Sequence, residues 1–329
     1  MPETALVSLS CGVVAIGRNE GDRLRQCLQS IVGKVAGVVY VDSGSTDGSV
    51  ALARSMGVLV VELDMNVPFT AARARNAGFN QLIESIPNLD YVQFVDGDCE
   101  IAGDWFKKAI DFLGKHAEVA VVCGRRRERY PNKSIYNTLC DIEWDAPSGE
   151  VRSCGGDAMM KIESFKAIGG FRPDMIAGEE PELCVRLRAR GWRIWRLSNE
   201  MTLHDAAMTK FSQWWSRSKR AGYAYALGAF LHGSPPERHY VRQARRALVW
   251  GLMLPFIIII LSIYELSFLS IFFVYLVKII RIRLNYKSQV VPWRWAIYLV
   301  LGHIPEGLGL LKFYFDRATG KKAMLIEYK

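Results

Sequence analysis

The amino-acid sequence predicts an α/β fold, with a mostly parallel sheet covered by helices on both faces and membrane-associated helices after it. The sheet is predicted because strand-length apolar runs alternate with segments of helical periodicity through the first half of the chain. Each of these runs stops at a polar or glycine-containing turn. The helices at the end are predicted by long, nearly uncharged apolar stretches beyond residue 246.

The strands and helices alternate from the beginning of the chain. Four apolar runs predict strands at residues 13–16, 37–41, 57–63 and 91–95, and helices are expected at 23–32, after residue 48 and at 70–85. Further on, glycine-rich turns at 154–160 and 168–171 flank another helix, a helix begins at Glu179, and a strand-like segment covers 192–197. Ligands bind beyond the carboxyl ends of parallel strands, where the polar clusters of this sequence lie.

Charge and cysteine content narrow the class of protein. The net charge is +9, yet residues 206–329 contain 18 Lys and Arg against 5 Asp and Glu, so the basic charge is concentrated at the C-terminal end. This distribution favours a segment facing anionic lipid over a nucleic-acid-binding protein. The seven cysteines form no C-x-x-C pair, which predicts reduced thiols in a cytosolic compartment. The first ten residues lack the features of a signal peptide.

The apolar stretches near the end predict attachment to a membrane. Residues 247–264 and 266–277 are interrupted by Glu265 and flanked outside by arginine and lysine, which predicts a hairpin at about 247–280 with both ends cytoplasmic. A buried hairpin of a soluble protein is the alternative, and the four consecutive isoleucines at 257–260 favour the membrane. A third stretch, at about 293–315, is predicted to be an interfacial or re-entrant helix. The expected organisation is a catalytic domain at 1–205, a basic linker at 206–246 and a membrane-associated region at 247–329.

Carboxylates at strand ends are the main candidates for chemistry. Asp96 and Asp98 flank Gly97 directly after an apolar strand, and could bind one Mg²⁺ or Mn²⁺ that neutralises a departing diphosphate; a solvated turn is the alternative. Asp42 could accept hydrogen bonds from a ribose or a base, or could serve the turn that follows it. Asp47 is expected to be a cap or turn residue.

Other candidates lie on helices. Arg73 could contact a diphosphate, whereas Arg75 could equally lie on a solvated helix face. Glu179, Glu180 and Glu182 cluster at a helix start, where the dipole favours acids, and one of them could be a general base. His204 could bind a metal or a phosphate, although a single histidine is more often structural.

Taken in order, these features resemble glycosyltransferase family 2 with a GT-A fold. The matching stretches are Val14-Ala15-Ile16-Gly17-Arg18-Asn19-Glu20, Val41-Asp42-Ser43-Gly44-Ser45-Thr46-Asp47-Gly48, Ala72-Arg73-Ala74-Arg75-Asn76-Ala77-Gly78, Val95-Asp96-Gly97-Asp98, Gly155-Gly156-Asp157, Gly169-Gly170-Phe171, and Gly178-Glu179-Glu180 with Leu183 and Arg186-Leu187-Arg188. They cover about residues 10–205. Each stretch is a weak signal alone, but their ordered set is specific.

The resemblance implies an inverting transferase that uses a nucleotide-diphosphate sugar, with a UDP-sugar favoured, and a divalent metal, Mn²⁺ or Mg²⁺. It implies Glu180 as the base, because the family has Glu-Asp where this chain has Glu179-Glu180; the longer side chain leaves Glu179 as the alternative. The implied nucleotide-sugar-binding residues are Ile16, Arg18, Glu20, Asp42, Arg73, Asp96, Gly156 and Asp157, and the implied metal ligands are Asp98, Asp96 and His204.

A lipid-linked saccharide is the acceptor that the basic hairpin favours. The stretch 125–129, together with Trp144, Asp145 and Asp157, could line the acceptor side, or the arginines could be solvated. Two candidate spans are few for a polymer-conducting channel, so a single-addition enzyme of the bacterial inner membrane, with its catalytic domain in the cytoplasm, is expected. A nucleotidyltransferase and a membrane-anchored nucleotide-sugar-binding protein without turnover are the competing interpretations.

Overall fold

The computed structural model describes residues 10–285 and 293–321, which divide into two units. The first unit runs to Pro131 and resumes at Cys140–Ala207. The second comprises Asn132–Leu139 and the residues from Met208 onward. Residues 1–9, predicted to lack a signal peptide, and the basic residue Lys287 after the predicted hairpin lie outside the described residues.

The first unit is an α/β domain. Its strands are β1 (Cys11–Gly17), β2 (Gly37–Asp42), β3 (Leu59–Glu62), β4 (Tyr91–Asp96), β5 (Cys99–Ile101), β6 (Val119–Glu128), β7 (Gly149–Val151), β8 (Ala158–Lys161) and β9 (Arg193–His204). Its helices are α1 (Asp22–Ile31), α2 (Ser49–Ser55), α3 (Ala71–Ser85), α4 (Trp105–Lys115), α6 (Ile162–Ala167) and α7 (Glu179–Ala189), while α5 (Ile135–Trp144) begins in the second unit and ends in the first. The predicted succession of strands and helices up to residue 95 is confirmed.

Within the described residues the strands form one sheet in the order β3-β2-β1-β4-β8-β6-β9-β5, and β7 pairs with β9. Strands β3, β2, β1 and β4 pair in parallel, and so do β6 and β9. Strand β8 runs antiparallel to both β4 and β6, and β5 and β7 run antiparallel to β9. The mostly parallel sheet is therefore confirmed, with antiparallel strands inserted in its second half.

Apolar packing fixes the helices on the sheet. Helix α1 buries Leu24, Leu28 and Ile31, as its spacing predicted. Helix α3 lies very close to β1 and β2 at Gly78, where an added Cβ would stand 2.4 Å from Val14 Cγ1. All seven cysteines are buried and free, in agreement with the predicted absence of a disulfide framework.

The parallel strands carry charged residues to one edge of the sheet. Asp42, Asp96, Glu128 and His204 are the last residues of β2, β4, β6 and β9, and β6 and β9 place Glu128 opposite His204. Carboxyl ends of parallel strands are where ligands bind in such sheets. The register therefore brings side chains from distant parts of the sequence to a common edge.

The second unit is helical. It contains α8 (Phe211–His232), α9 (Val241–Leu248), a π-helical turn (Val249–Met253), α10 (Leu254–Tyr264), a 3₁₀ segment (Leu266–Phe272), α11 (Phe273–Asn285), α12 (Trp293–Leu301) and α13 (His303–Ala318). Helices α8 and α13 meet at small residues, since an added Cβ on Gly222 or Gly309 would collide with the backbone of the other helix.

Two helices among the described residues are long and apolar enough to cross a bilayer, Val241–Tyr264 and Trp293–Ala318. The first contains the first arm of the predicted hairpin. The second arm is a 3₁₀ segment followed by α11, because Glu265 breaks the helix in an extended conformation. The stretch predicted to be interfacial or re-entrant forms the second long helix, half of whose most apolar window is buried against other helices.

Candidate functional site

Arg75 is the centre of a buried group of acids. Its guanidinium lies 3.0 Å from Asp96 Oδ1, 3.0 Å from Glu179 Oε1 and 2.9 Å from Glu180 Oε1. The Arg75 side chain is 3% exposed, so the alternative that it lies on a solvated helix face is wrong. A buried arginine with three carboxylate partners gathers residues from α3, β4 and α7 at one point.

The two glutamates at the start of α7 differ in how far their side chains are exposed to solvent. The Glu179 side chain is 4% exposed, whereas that of Glu180 is 15% exposed. Burial, and next the negative charge of Glu179, raise the pKa of Glu180 to about 7, although Arg75 acts in the opposite direction. Glu180 is thus the more accessible acid, and its pKa lies in the range suited to a general base at neutral pH. Glu182 instead binds Arg186 one helical turn further on.

A second arginine completes the cluster from the other side. Arg126 lies 3.2 Å from Asp96 Oδ2 and 3.5 Å from Asp157 Oδ2, and its guanidinium stacks 4.9 Å from the Trp144 ring centre. Asp157 also accepts hydrogen bonds from the Asp96 backbone N–H and the Thr202 hydroxyl. Arg125 is buried, Arg126 is partly buried, and both are ion-paired, so the alternative that these two are solvated is wrong.

Gly156 lies directly against this cluster. A Cβ at this position would stand 2.7 Å from Arg75 Nη2, 3.2 Å from Glu180 Oε1 and 3.3 Å from Asp96 Oδ2. Atoms in real structures do not approach so closely, so only glycine fits here without displacing the charged groups. The structure thus brings five of the predicted site residues together, namely Asp96, Gly156, Asp157, Glu179 and Glu180.

Asp98 points to a different partner from Asp96. Its Oδ2 lies 3.3 Å from His204 Nε2, and His204 Nδ1 lies 3.6 Å from Glu128 Oε2. Asp98 and His204 are both buried. Burial, and next the charge of Arg126, lower the pKa of His204, which favours the neutral imidazole that binds metals.

The donor atoms around Asp98 fit a divalent cation. Donor atoms of Asp98, Cys99 and His204 lie within 4.8 Å of one another, and so do those of Asp96, Cys99 and Asp157. Adjacent ligands at about 2.1 Å from an octahedral ion stand about 3 Å apart, close to the separation of Asp98 Oδ2 and His204 Nε2. Burial raises the pKa of Cys99 well above its usual value, so this thiol stays protonated and is a poor ligand. A carboxylate and a neutral imidazole therefore remain as ligands for a divalent cation.

The predicted nucleoside side is built from two joined loops. Asp42 accepts a hydrogen bond from the Tyr40 hydroxyl at 3.0 Å and from the backbone N–H groups of Gly44 and Ser45 at 2.9 and 2.8 Å, so its carboxylate serves the turn. Asn19 bridges the loops by accepting from the Thr46 N–H and by donating its own N–H to Ser45.

Most of the remaining residues of these loops are buried or have hydrogen-bond or ion-pair partners, whereas Arg18 is exposed to solvent. Asp47 accepts from Ser49 and from Gly21, which confirms it as a cap and turn residue. Ile16 is buried at the end of β1 and its carbonyl accepts from the Gly97 N–H. Glu20 pairs with Arg23 at 2.8 Å, while Arg18 is exposed.

Arg73 is placed outside the acid cluster. Its guanidinium donates to the backbone carbonyls of Asp64, Val67 and Pro68 at 2.5–2.9 Å. These bonds tie helix α3 to the preceding loop. The diphosphate contact predicted for Arg73 therefore requires the side chain to leave these carbonyls.

Three residues of the cluster were given other roles from the sequence. Arg126, which binds Asp96, and Glu128, which faces His204, lie in the stretch 125–129 that was predicted to line the acceptor side, and Arg75 was placed second to Arg73. The only sequence signal for Glu128 is its position after nine residues of a strand, which makes it a strand end. Helical spacing cannot tell Arg73 from Arg75, because they lie two residues apart and point to different sides.

Comparisons with known proteins agree with this fold. The model of the family described as Glycosyl transferase family 2 matches residues 13–168. The succinoglycan biosynthesis protein ExoA of Rhizobium meliloti (strain 1021) is 26% identical over 212 residues, which cover 59% of this chain and 63% of that protein. The chain thus matches less than two thirds of the length of that relative.

Two solved structures share the fold. The mannosyltransferase PcManGT from Pyrobaculum calidifontis, in complex with GDP-Man and Mn²⁺, superimposes with a TM-score of 0.65 at 20% identity, covering 92% of this chain and 87% of that one. The S. aureus TarS fragment 1–349 gives a TM-score of 0.51 at 15% identity, covering 95% and 92%.

The sheet and the superposition on these structures define a GT-A fold. The match of residues 13–168 to the model of glycosyl transferase family 2 identifies the chain as a glycosyltransferase. The predicted fold and the predicted resemblance to that family are therefore confirmed.

Proposed function

We propose that this protein transfers a sugar from a nucleotide-diphosphate sugar to an acceptor hydroxyl, with inversion at the anomeric carbon. The proposal rests on the cluster in which Arg75 contacts Asp96, the first residue of the aspartate pair, together with Glu179 and Glu180. A base with a pKa of about 7 then stands next to carboxylates suited to a metal–diphosphate.

Glu180 acts as the general base in this proposal. Its Oε atom accepts the proton of the acceptor hydroxyl while the hydroxyl oxygen forms a bond to the anomeric carbon. The bond from that carbon to the diphosphate oxygen breaks on the opposite face, which inverts the configuration. Arg75 holds the Glu180 carboxylate in position, and the closed environment of Glu179 leaves Glu180 as the acid that a substrate can reach.

Asp98 and His204, whose donor atoms lie together, would hold the divalent metal with Asp96, whose donor atoms lie close to those of Asp157; we favour Mn²⁺. When bound, such an ion neutralises the charge that develops on the leaving diphosphate. Glu128 faces the second ring nitrogen of His204, an arrangement that orients metal-binding histidines in proteins.

The joined loops at residues 17–20 and 43–48 are assigned to the nucleoside, and Gly156 and Asp157 to the sugar side. Asp42 would contribute by fixing the turn, because its oxygens already accept hydrogen bonds from Tyr40, Gly44 and Ser45. We favour a UDP-sugar as donor. A GDP-sugar is the first competitor to test, since PcManGT is described with GDP-Man.

The acceptor that we propose is a lipid-linked saccharide in polysaccharide biosynthesis, in line with the name of the ExoA relative, a succinoglycan biosynthesis protein. Residues 1–205 would form the catalytic domain, 206–246 a basic linker and 247–329 the membrane-associated region, at the cytoplasmic face of a bacterial inner membrane. The two long apolar helices support membrane attachment. A cavity lined by Gly155, Asp157, Arg126 and Trp144, among others, offers polar groups and an aromatic face to a sugar.

Nucleotide release by the purified full chain tests the proposal. UDP-, GDP- and dTDP-sugars are offered with Mn²⁺ or with EDTA, with a bacterial lipid extract as acceptor. We expect release from one donor, its loss with EDTA or in Asp98→Ala, and a lipid-extractable product of inverted configuration. Tight nucleotide binding with no release from any donor in the presence of the extract would contradict the proposed activity.

A further inference from the structure

Two cations from different helices of the second unit converge on one carboxylate. Arg246, at the end of α9, places its guanidinium 3.4 and 3.5 Å from the two carboxylate oxygens of Glu306 in α13. Lys278 in α11 is close enough to experience the charges of both residues. The Glu306 carboxylate also lies 3.1 Å from His303 Nδ1. With His303 neutral, the two cations and the one carboxylate give this group a net charge of one positive unit.

The Lys278 ammonium is the unusual member of this group. Among the residues that the structure describes, its Nζ is shielded from solvent and has no hydrogen-bond partner. Its nearest aromatic neighbour is Trp250, whose ring centre is 3.6 Å away. An ammonium without hydrogen bonds costs free energy unless an acceptor reaches it, and a ring face satisfies the charge only in part.

The surroundings of Lys278 are those of a membrane interface. Tyr275 donates its hydroxyl to the Trp250 carbonyl at 2.6 Å and packs edge-on to its ring at 5.6 Å. Helices α10 and α11 expose apolar side chains, with Phe256 66%, Ile263 74% and Phe273 67% exposed. The exposed cations Arg242, Arg245 and Arg281 lie on α9 and α11. Trp and Tyr are enriched where apolar and basic segments meet at the headgroup level of a bilayer.

We infer that Arg246 and Lys278 bind the phosphate of an anionic phospholipid, whose acyl chains lie along the apolar surface of α10 and α11. A phosphate offers the acceptor oxygens that Lys278 lacks, and it balances the excess positive charge beside Glu306. This inference rests on the membrane attachment in the proposed function, and it names the lipid chemistry and the residues that recognise it.

The test uses the full chain in micelles of a non-ionic detergent. Dioctanoyl phosphatidylglycerol and dioctanoyl phosphatidylcholine are titrated separately, and bound lipid is counted by native mass spectrometry. We expect one phosphatidylglycerol to bind tightly, with a preference over phosphatidylcholine of at least about tenfold. Lys278→Gln and Arg246→Gln should each weaken it about fivefold. The matched controls Arg281→Gln and Arg245→Gln remove the same charge from neighbouring exposed positions and should change affinity less than about twofold.

Separate outcomes test the inference and the attachment. Equal binding of both lipids, equal loss in controls and test variants, or displacement of the lipid by millimolar inorganic phosphate would overturn the phospholipid site. Flotation of the wild-type chain with phosphatidylcholine vesicles tests attachment alone. Flotation without phosphatidylglycerol preference leaves the proposed function standing and overturns only the inference, whereas failure to float overturns the membrane attachment and, with it, the inference, and leaves the proposed sugar transfer to its own test.

Discussion

Replacing Arg75 with methionine tests whether this residue neutralises the acid cluster. The side chain is 3% exposed and lies 3.0, 3.0 and 2.9 Å from three carboxylates. Arg126 still faces Asp96 in the variant, so Glu179 and Glu180 lose their main counter-charge. Removing one partner of a buried ion pair costs about 3–5 kcal/mol. For a unit of this size, that loss corresponds to a fall in Tm of about 6–20 °C.

Arg73→Met is the matched control, since it removes the same side chain two positions earlier on the same helix. Its guanidinium donates to loop carbonyls, and within the described residues it forms no ion pair with a carboxylate, so we expect a loss of about 1 kcal/mol, or about 2–4 °C. Thermal unfolding of the full chain in detergent, followed by tryptophan fluorescence, measures both.

The pH dependence of thermal stability distinguishes the loss of the Arg75 charge from the loss of its packing. Arg75 lowers the pKa of Glu180, so without Arg75 this pKa rises further in the folded state. The folded variant then gains a proton as the pH falls, while the same group in the unfolded chain does not until about pH 4.3. The destabilisation by Arg75→Met should therefore be larger at pH 8 than at pH 6, and that by Arg73→Met should not change. Equal losses in the two variants, or a loss independent of pH, would refute the neutralising role of Arg75.

Three further results are expected. The kcat of the wild type should rise as the pH increases through about 7, because Glu180 must be deprotonated. In Glu179→Gln this rise should move to lower pH, since the charge of Glu179 raises the pKa of Glu180. A rise at the same pH as in the wild type would contradict this coupling. Asp98→Ala should weaken Mn²⁺ binding at least about tenfold by electron paramagnetic resonance of free Mn²⁺, and unchanged affinity would exclude Asp98 as a ligand. Gly156→Ala should lower kcat/KM about 100-fold, because its Cβ would stand 2.7 Å from Arg75 Nη2, and wild-type kinetics would show that the cluster tolerates displacement.

The parallel half of the sheet was predictable because its strands carry a local signal. Each of β1, β2 and β4 is a short apolar run that ends at a polar turn, and the helices between them have amphipathic spacing. The antiparallel insertion of β8 between β4 and β6 has no such signal, since strand direction depends on pairing between segments far apart in the sequence.

The site was predictable where its residues stand in local motifs and not where they meet through tertiary structure. The aspartate pair and the acidic helix start could be read directly. The choice between Arg73 and Arg75 could not, because it depends on which side of α3 faces β4 and α7. The place of Glu128 opposite His204 could not be predicted for the same reason, since it arises from the parallel register of β6 and β9.

Sugar transfer by Glu180→Gln and Glu179→Gln, measured at saturating donor with Mn²⁺, tests the central claim most directly. Both changes are isosteric and remove one charge next to Arg75, so they differ only in which carboxylate is lost. We predict that Glu180→Gln lowers kcat by about 10²–10⁴ while donor binding is retained, and that Glu179→Gln keeps substantial turnover. Near-wild-type turnover in Glu180→Gln together with its loss in Glu179→Gln would contradict Glu180 as the base.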